Sequence, residues 1–153
     1  MGRIDKKLAE LGIALPSPVA PVATYVPYAI AGNLVFISGQ ISFSGGVLIK
    51  GRLGADMDIE KGQEAARACG LNLLAHLKTA CSGDLDRVRR VVKLGAFVCC
   101  TPDFVDQPKV ANGCSDLMVA VFGETGRHAR AAVGAPALPL GAAVEIDGVF
   151  EIA

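Results

Sequence analysis

Residues 130–146 read Arg-Ala-Ala-Val-Gly-Ala-Pro-Ala-Leu-Pro-Leu-Gly-Ala-Ala-Val-Glu-Ile, the most informative stretch of the chain. It places one arginine, Arg130, and one carboxylate, Glu145, in apolar segments that we interpret as adjacent strands separated by Pro136–Pro139. Burying an unpaired ion costs several kcal/mol, so charges in such segments generally have a partner or a ligand. The stretch therefore predicts both the end of a β-sheet and a candidate binding site.

The rest of the chain alternates strand and helix patterns. The first part of the chain is predicted to form a short amphipathic helix ending at Gly12, a proline-rich connector at 15–27, a hairpin turning at Gly32–Asn33 and a third antiparallel strand at 47–53. A helix follows from a cap at Asp58 to about Cys81, and after it come a short helical turn at 84–88 and a strand at 91–99. The last part is predicted to form a helix at 105–122, with Pro108 in its first turn, and strands at 129–135 and 142–150. This order predicts an α+β fold with helices on one face of a mixed sheet.

A chain of 153 residues fits one hydrophobic core. We divide it into an amino-terminal extension, residues 1–24, and a domain, residues 25–153. About half of the residues are apolar, while aromatic residues are few and tryptophan is absent, so the core must consist mainly of Ala, Val, Leu and Ile.

Charge and cysteine content narrow the function classes. The 15 basic and 15 acidic residues balance, whereas nucleic-acid-binding domains normally have a basic excess, so we expect no nucleic-acid partner. No segment is apolar enough over sufficient length to cross a bilayer, so no membrane partner is expected. The five cysteines form an odd set with no secretory segment before them, which predicts reduced thiols in the cytoplasm. With two histidines available, buried apolar cysteines are a better interpretation than a zinc site.

Arg130 and Glu145 are the residues best suited to chemistry. A guanidinium matches a carboxylate through two parallel donors and stays protonated. A carboxylate in a partly dry cleft can orient water and exchange protons. The alternative interpretation of each residue is an ordinary exposed side chain on a terminal strand.

Several neutral or titratable residues are weaker candidates. Asn112, Ser38 and Tyr25 could hold polar substrate atoms, but capping and turn roles also explain the first two. His76 lies in the long helix, where solvent or core contacts are the simpler interpretation, and His128 reads as a loop residue. Neither a phosphate-binding glycine loop nor a serine nucleophile elbow is present.

Three segments together resemble the RidA/YjgF family of reactive-intermediate deaminases, from about Tyr25 to the end of the chain. They are Gly32-Asn-Leu-Val-Phe-Ile-Ser-Gly-Gln40, Ala111-Asn112, and the terminal stretch from Arg130 through Leu138-Pro139 to Ile146. The longer amino-terminal extension resembles a divergent subgroup of the family.

The resemblance implies a fold like that of bacillary chorismate mutase and a homotrimer with clefts between neighbouring subunits. It implies hydrolysis of enamines and imines, such as 2-aminoacrylate, to 2-oxo acids and ammonia without a cofactor or metal. Arg130 would bind the substrate carboxylate and Glu145 would position water. The substrate-binding residues that the resemblance adds are Tyr25, Ser38, Gly39, Asn112 and Ala132.

The sequence departs from the family pattern directly after Arg130. Active members often have Ser and Cys where this chain has Ala131 and Ala132, so the cleft loses a hydroxyl and a thiol. Two alternatives therefore stay open besides the deaminase. One is a non-catalytic protein that binds a small carboxylate in the same cleft, and the other, disfavoured by the charge balance, is an endoribonuclease.

Overall fold

The computed structural model describes residues 1–21 and 23–153. The elements in chain order are α1 (Arg3–Glu10), β1 (Tyr28–Ala31), β2 (Leu34–Ile41), β3 (Phe43–Ser44), β4 (Val47–Leu48), α2 (Ile59–Ala80), β5 (Val88–Cys99), α3 (Gln107–Phe122), β6 (Ala129–Ala135) and β7 (Val144–Ile152). One-turn 3-10 helices lie at Leu85–Arg87, Gly123–Gly126 and Pro139–Gly141. Of the predicted connector, Val22 lies outside the described residues.

The main sheet has the strand order β1-β2-β7-β5-β6. The pair formed by β5 and β6 is parallel and the other pairs are antiparallel, so the sheet is mixed as predicted. Alternate residues of β7, including Val144, Ile146 and Phe150, are buried against the helices, while Asp147 is exposed on the opposite face. The α+β prediction, with helices on one face, is confirmed.

The two long helices, α2 and α3, pack closely because a glycine, Gly113, lies at their contact. Asp58 caps α2 by accepting a hydrogen bond from the Lys61 N–H at 2.8 Å, as predicted. A Cβ atom at Gly113 of α3 would collide with the backbone carbonyl of Gln63 in α2.

None of the described helices is both long and apolar enough to span a membrane.

Two strand predictions are wrong. The third strand predicted at 47–53 shortens to β4, which pairs with β3 in a separate two-stranded ribbon instead of extending the main sheet. Beyond it, Lys50 and Leu53 make only isolated bridges. The strands that hold Arg130 and Glu145 are not adjacent either, since β5 lies between β6 and β7. The two strands follow each other in the chain, but β6 pairs in parallel with β5.

The amino-terminal extension contributes to the same hydrophobic core. Ile4 and Leu8 of α1 are buried in that core. The carboxylate of Asp86 accepts hydrogen bonds from the N–H groups of Arg3 and Ile4, at 2.7 and 2.8 Å. Free N–H groups at a helix start need acceptors, and here the acceptor comes from a distant segment of the chain.

All five cysteines are buried and free, which confirms their interpretation as small core residues. Within residues 1–21 and 23–153, no group of three or more His, Cys, Asp or Glu side chains is arranged to hold a metal ion.

Candidate functional site

Arg130 projects from the edge strand β6 towards the helices. Its register partner on β5 is Leu94, which is buried in the core, and side chains paired across a sheet share a face. Ala132, two residues further along, lies on the same face and packs against the core. The structure thus brings Arg130 and Ala132 together with α3.

The guanidinium of Arg130 is fixed by three acceptors on one face of α3. Nη1 donates to Oδ1 of Asn112 at 2.8 Å and to Oγ of Ser115 at 3.0 Å, and Nη2 donates to the carbonyl of Pro108 at 3.3 Å. These positions are spaced by four and three residues, so they lie along one side of the helix. The Nε–H and one of the two Nη2–H groups have no partner among the described residues.

A hydrogen-bonded chain continues behind Arg130. The Ser115 hydroxyl lies 2.8 Å from Nε2 of His128, and Nδ1 of His128 lies 2.6 Å from the carbonyl oxygen of Gly126. Because a carbonyl can only accept, Nδ1 carries the proton, and Nε2 of the neutral ring accepts from Ser115. Sequence reasoning missed Ser115 and took His128 for an ordinary loop residue, although the spacing of Asn112 and Ser115 on one helix face was visible.

No carboxylate neutralises Arg130 within the part of the chain that the structure describes. The nearby Cys114 does not do so either. Burial raises the pKa of its thiol to about 12, although the charge of Arg130 acts in the opposite direction. The thiol is therefore neutral, and Arg130 remains a partly buried cation surrounded by neutral acceptors.

Glu145 lies on the opposite face of the sheet from Arg130. Its register partners are Phe97 on β5 and Ile41 on β2. Desolvation raises the pKa of its carboxyl group, and the negative charge of Asp147 raises it further. A Cβ atom at Gly39 would stand 3.1 Å from the carboxyl carbon, so glycine leaves room for the acid.

Tyr25, Ser38 and Gly39 lie on the side of Glu145. All three line a shallow cavity of about 730 Å³ on the open face of the sheet. The Ser38 hydroxyl donates to the carbonyl of Val26 at 2.7 Å, which anchors the segment before β1. Tyr25 and Gly39 also line a second cavity of about 470 Å³ that contains Glu145 and His76.

The predicted residues therefore form two groups within one chain. Arg130, Asn112 and Ala132 lie between β6 and α3, whereas Glu145, Tyr25, Ser38 and Gly39 lie on or beside the open face. Since β5 separates the two charged residues and they point to opposite faces, a single chain does not bring Arg130 and Glu145 together.

The fold and sequence have clear relatives. "Protein TCP17" of Trypanosoma cruzi is 49% identical over 153 residues, which cover 99% of this chain and 95% of the relative. The crystal structure of Atu1372 from Agrobacterium tumefaciens, of unknown function, has a TM-score of 0.91 at 48% identity and covers 98% of this chain and 92% of its own. A Shewanella oneidensis structure described as a "putative endoribonuclease" has a TM-score of 0.94 at 34% identity and covers 99% and 100%.

The family model that matches spans residues 5–150 and is described as "YjgF/chorismate mutase-like, putative endoribonuclease". This match covers nearly the whole chain, including Arg130, Glu145 and most of the amino-terminal extension. It agrees with the α+β architecture of the mixed sheet and its helices. The chain belongs to the RidA/YjgF family.

Proposed function

We propose that this protein hydrolyses reactive enamine and imine intermediates, such as 2-aminoacrylate, to 2-oxo acids and ammonia. The observation that supports the proposal is the state of Arg130. Its guanidinium is held by three neutral acceptors, is not neutralised by a described carboxylate, and leaves two of its five N–H donors, on Nε and Nη2, unused. A guanidinium with free donors can hold the oxygens of a small carboxylate, in the best case as a bidentate pair.

Glu145 is the proposed group for the chemical step. A carboxylate whose pKa is raised by desolvation can exchange protons closer to neutrality than an exposed acid can. In the proposed reaction the enamine carbon first takes a proton from solvent, which gives the iminium ion. Water then adds its oxygen to the iminium carbon while Glu145 accepts one of its protons, which gives a carbinolamine. Glu145 returns that proton to nitrogen, and the C–N bond breaks as the hydroxyl group gives its proton to solvent, so that ammonia leaves and the 2-oxo acid remains.

The proposed reaction requires two subunits. Because Arg130 and Glu145 lie on opposite faces of one sheet, we propose that a cleft between neighbours in a homotrimer combines the Arg130 of one subunit with the Glu145 of the next. The apolar side chains Phe36, Phe97 and Val133, exposed on the open face, support association through that face. Sedimentation equilibrium tests this point, and a monomer at micromolar concentration would contradict it.

The catalytic test uses 2-aminoacrylate produced in the cuvette by a pyridoxal-phosphate dehydratase. We expect the wild type to accelerate its hydrolysis, and Arg130→Ala to lower kcat/KM by about 10- to 100-fold, the effect of losing hydrogen bonds to a charged group. Arg130→Lys keeps the charge but not the paired donors, so its activity should be intermediate. Arg127→Ala, which removes an exposed arginine paired with Glu124, is the matched control. An unchanged spontaneous rate with wild-type protein would refute the proposal.

The second candidate is a non-catalytic protein that binds small carboxylates. The observation that favours it is the sequence Ala131-Ala132, which has no hydroxyl or thiol at the two positions that follow Arg130. In that case pyruvate should raise the melting temperature of the wild type but not of Arg130→Ala, with no turnover of any imine. Endoribonuclease activity ranks third, because the balanced charge gives little attraction for an RNA backbone.

A further inference from the structure

Ser115 and His128 lie directly behind the guanidinium of Arg130, and neither is among the site residues that the resemblance implies. Oγ of Ser115 accepts a hydrogen bond from Nη1 of Arg130 at 3.0 Å and lies 2.8 Å from Nε2 of His128. All three side chains are partly buried. They therefore form one short hydrogen-bonded row between α3 and β6.

The imidazole of His128 is held from its other side by the turn that joins α3 to β6. Its Nδ1 lies 2.6 Å from the carbonyl oxygen of Gly126, in the one-turn helix Gly123–Gly126. A Cβ atom at Gly126 would collide with the backbone carbonyl of Met118 in α3, so glycine lets this turn pack directly against the helix. Both ring nitrogens thus have partners, and these partners fix the orientation of the ring.

The hydroxyl group of Ser115 connects His128 to Arg130 in either protonation state of the ring. With a neutral ring, the hydroxyl donates its only hydrogen to Nε2 of His128 and keeps a lone pair for Nη1 of Arg130. With a protonated ring, Nε2 becomes a donor, and Oγ accepts from both neighbours through its two lone pairs. The contact to Arg130 is therefore kept, while the hydroxyl hydrogen is released for another acceptor.

Protonation of His128 also places a second positive charge close to Arg130. Nε2 of His128 and Nη1 of Arg130 contact the same oxygen, so they are less than about 6 Å apart, where charges interact appreciably at a partly buried site. The two cations repel each other, and an anion on the free Nε and Nη2 donors of Arg130 would relieve that repulsion. Imidazole is the side chain whose charge ordinarily changes between about pH 5 and pH 8.

The other ionisable groups of α3 do not duplicate this role. Asp106 and Lys109 pair with each other at 3.5 Å in the first turn of the helix. Asp116 is exposed to solvent. Burial raises the pKa of the Cys114 thiol to about 12, so this group keeps its proton throughout the range in which His128 titrates.

The charged groups of the turn and of β5 are accounted for as well. In the turn, Glu124 pairs with Arg127 at 3.1 Å, and both are exposed. On β5, Lys93 is the register partner of Ala129, so its side chain lies on the opposite face of the sheet from Arg130. The remaining ionisable residues of β5 lie beyond the part that pairs with Ala129 and Arg130, and they are Arg89, Arg90 and Cys99.

We propose that Ser115 and His128 are positioning residues for Arg130, and that they strengthen its binding of a carboxylate when His128 takes up a proton. Ser115 orients the guanidinium so that Nε and Nη2 stay free, and His128 fixes Ser115 and supplies the titrating charge. The inference rests on the carboxylate that the proposed function assigns to Arg130, but it requires no turnover. Because coupling between two ligands is reciprocal, a carboxylate that prefers protonated His128 must also draw a proton onto it.

Calorimetric titration of the full chain with pyruvate tests the coupling. We expect pyruvate to bind about three- to tenfold more tightly at about pH 5.5 than at about pH 8. Pyruvamide, the uncharged counterpart, should show no such gain. Titration in two buffers that differ in protonation enthalpy measures the protons taken up on binding, and we expect net uptake near pH 6.5. Pyruvate affinity that does not change with pH would overturn the inference.

Variants of His128 identify the group that takes up the proton. His128→Gln keeps a neutral acceptor for Ser115, so it should bind pyruvate as the wild type does at pH 8 but lose both the gain at low pH and the proton uptake. His128→Asn, whose amide can reach Gly126 instead, is the second variant if the melting curve shows that His128→Gln does not fold. Glu145→Gln is the control, because Glu145 of a neighbouring subunit would face the same cleft. Proton uptake that is lost in Glu145→Gln but kept in the His128 variants would overturn the inference.

Variants of Ser115 test the positioning role separately. Ser115→Ala removes one of the three acceptors of Arg130, so it should weaken pyruvate binding several-fold at pH 8. Ser115→Thr restores the hydroxyl group and should recover most of the affinity. Ser44→Ala, which alters an exposed serine of the β3–β4 ribbon, is the matched control and should bind as the wild type does. Equal affinity of Ser115→Ala and the wild type would contradict the positioning role.

The same measurements separate this inference from the proposed function. Pyruvate binding with the expected pH dependence, in a protein that hydrolyses no imine, would support the inference and reject the deaminase. Imine hydrolysis together with pyruvate binding that no Ser115 or His128 variant alters would do the reverse. Absence of pyruvate binding to the wild type at both pH values would overturn the inference, whereas the hydrolysis assay judges the deaminase independently.

Discussion

Asn112 accepts a hydrogen bond from Nη1 of Arg130 across 2.8 Å, which ties the edge strand β6 to the middle of α3. The same Nη1 also donates to Ser115, so both of its hydrogens are used. The helix therefore sets the orientation of the guanidinium and determines which of its donors remain free. This relationship makes Asn112 a positioning residue for Arg130 in the proposed site.

Asn112→Asp should weaken carboxylate binding at Arg130 by about tenfold or more. The new charge would pair with the guanidinium and reduce its attraction for an anion, and about 1.4 kcal/mol corresponds to a tenfold change. Titration with pyruvate measures the effect. Asp116→Asn alters an exposed position of the same helix and should leave pyruvate affinity unchanged. Equal affinity of Asn112→Asp and the wild type would contradict the positioning role.

Gly113→Ala should destabilise the fold by about 1–3 kcal/mol or more. The added methyl group would collide with the Gln63 carbonyl, a backbone atom that cannot rotate away, so α2 and α3 must separate. Urea unfolding followed by circular dichroism measures the change. Asp116→Ala is the matched control on the exposed side of α3, and it should stay within about 0.5 kcal/mol of the wild type. A Gly113→Ala midpoint equal to that of the wild type would mean that the helices can adjust freely.

Local patterns were sufficient to predict most of the elements. The cap at Asp58, the turn at Gly32–Asn33 and the apolar spacing of α2 each depend on neighbouring residues, and all three are present. The sheet order was not predictable in this way. Whether β6 pairs with β5 or with β7 is decided by contacts between distant segments, and an apolar strand such as Ala129–Ala135 fits either neighbour.

The same limit applies to the candidate site. The resemblance pointed to Arg130, Asn112 and Glu145, and the contact between the first two is present. Strand alternation in β7 is enough to put Glu145 on the face opposite that of Val144 and Ile146, but the relative faces of Glu145 and Arg130 depend on the sheet order. His76 is only 3% exposed, which agrees with the core contacts that the pattern of the surrounding helix allowed.

Glu145→Gln should raise the melting temperature at neutral pH. The folded protein raises the pKa of Glu145 above its ordinary 4.5, so the native state holds this proton more tightly than the unfolded chain. The contribution of Glu145 to the free energy of unfolding is complete below pH 4.5 and decreases as pH rises through the raised pKa. The variant should therefore gain stability relative to the wild type at pH 7 but not at about pH 4. Thermal unfolding over this range measures the difference, and a variant that is less stable at pH 7 would contradict it.

The contribution of His76 to the free energy of unfolding should have the opposite pH dependence to that of Glu145. Its pKa lies below the ordinary 6.5 because burial disfavours the charged ring, so the unfolded chain binds the proton more readily. The free energy of unfolding should then fall as pH decreases from 6.5 towards the lowered pKa. His76→Phe should flatten this part of the stability profile, as followed by urea unfolding between about pH 5 and pH 7.5. His128→Gln is the comparison for the other histidine, and a profile that His76→Phe leaves unchanged would contradict the assignment.

Asp86→Asn should loosen α1 from the domain. The hydrogen bonds from the N–H groups of Ile4 and Arg3 lower the pKa of Asp86. The carboxylate therefore stabilises the docked helix fully at pH values above the ordinary pKa of 3.8. This stabilisation is lost as the pH falls through the lowered pKa. An amide has one acceptor oxygen and no charge, so it cannot replace both contacts equally. Hydrogen exchange of residues 1–12 should become faster in the variant, while α2 and α3 keep their protection. Asp116→Asn should change neither segment. Unchanged exchange in α1 would show that Ile4 and Leu8, through their burial, suffice to hold it.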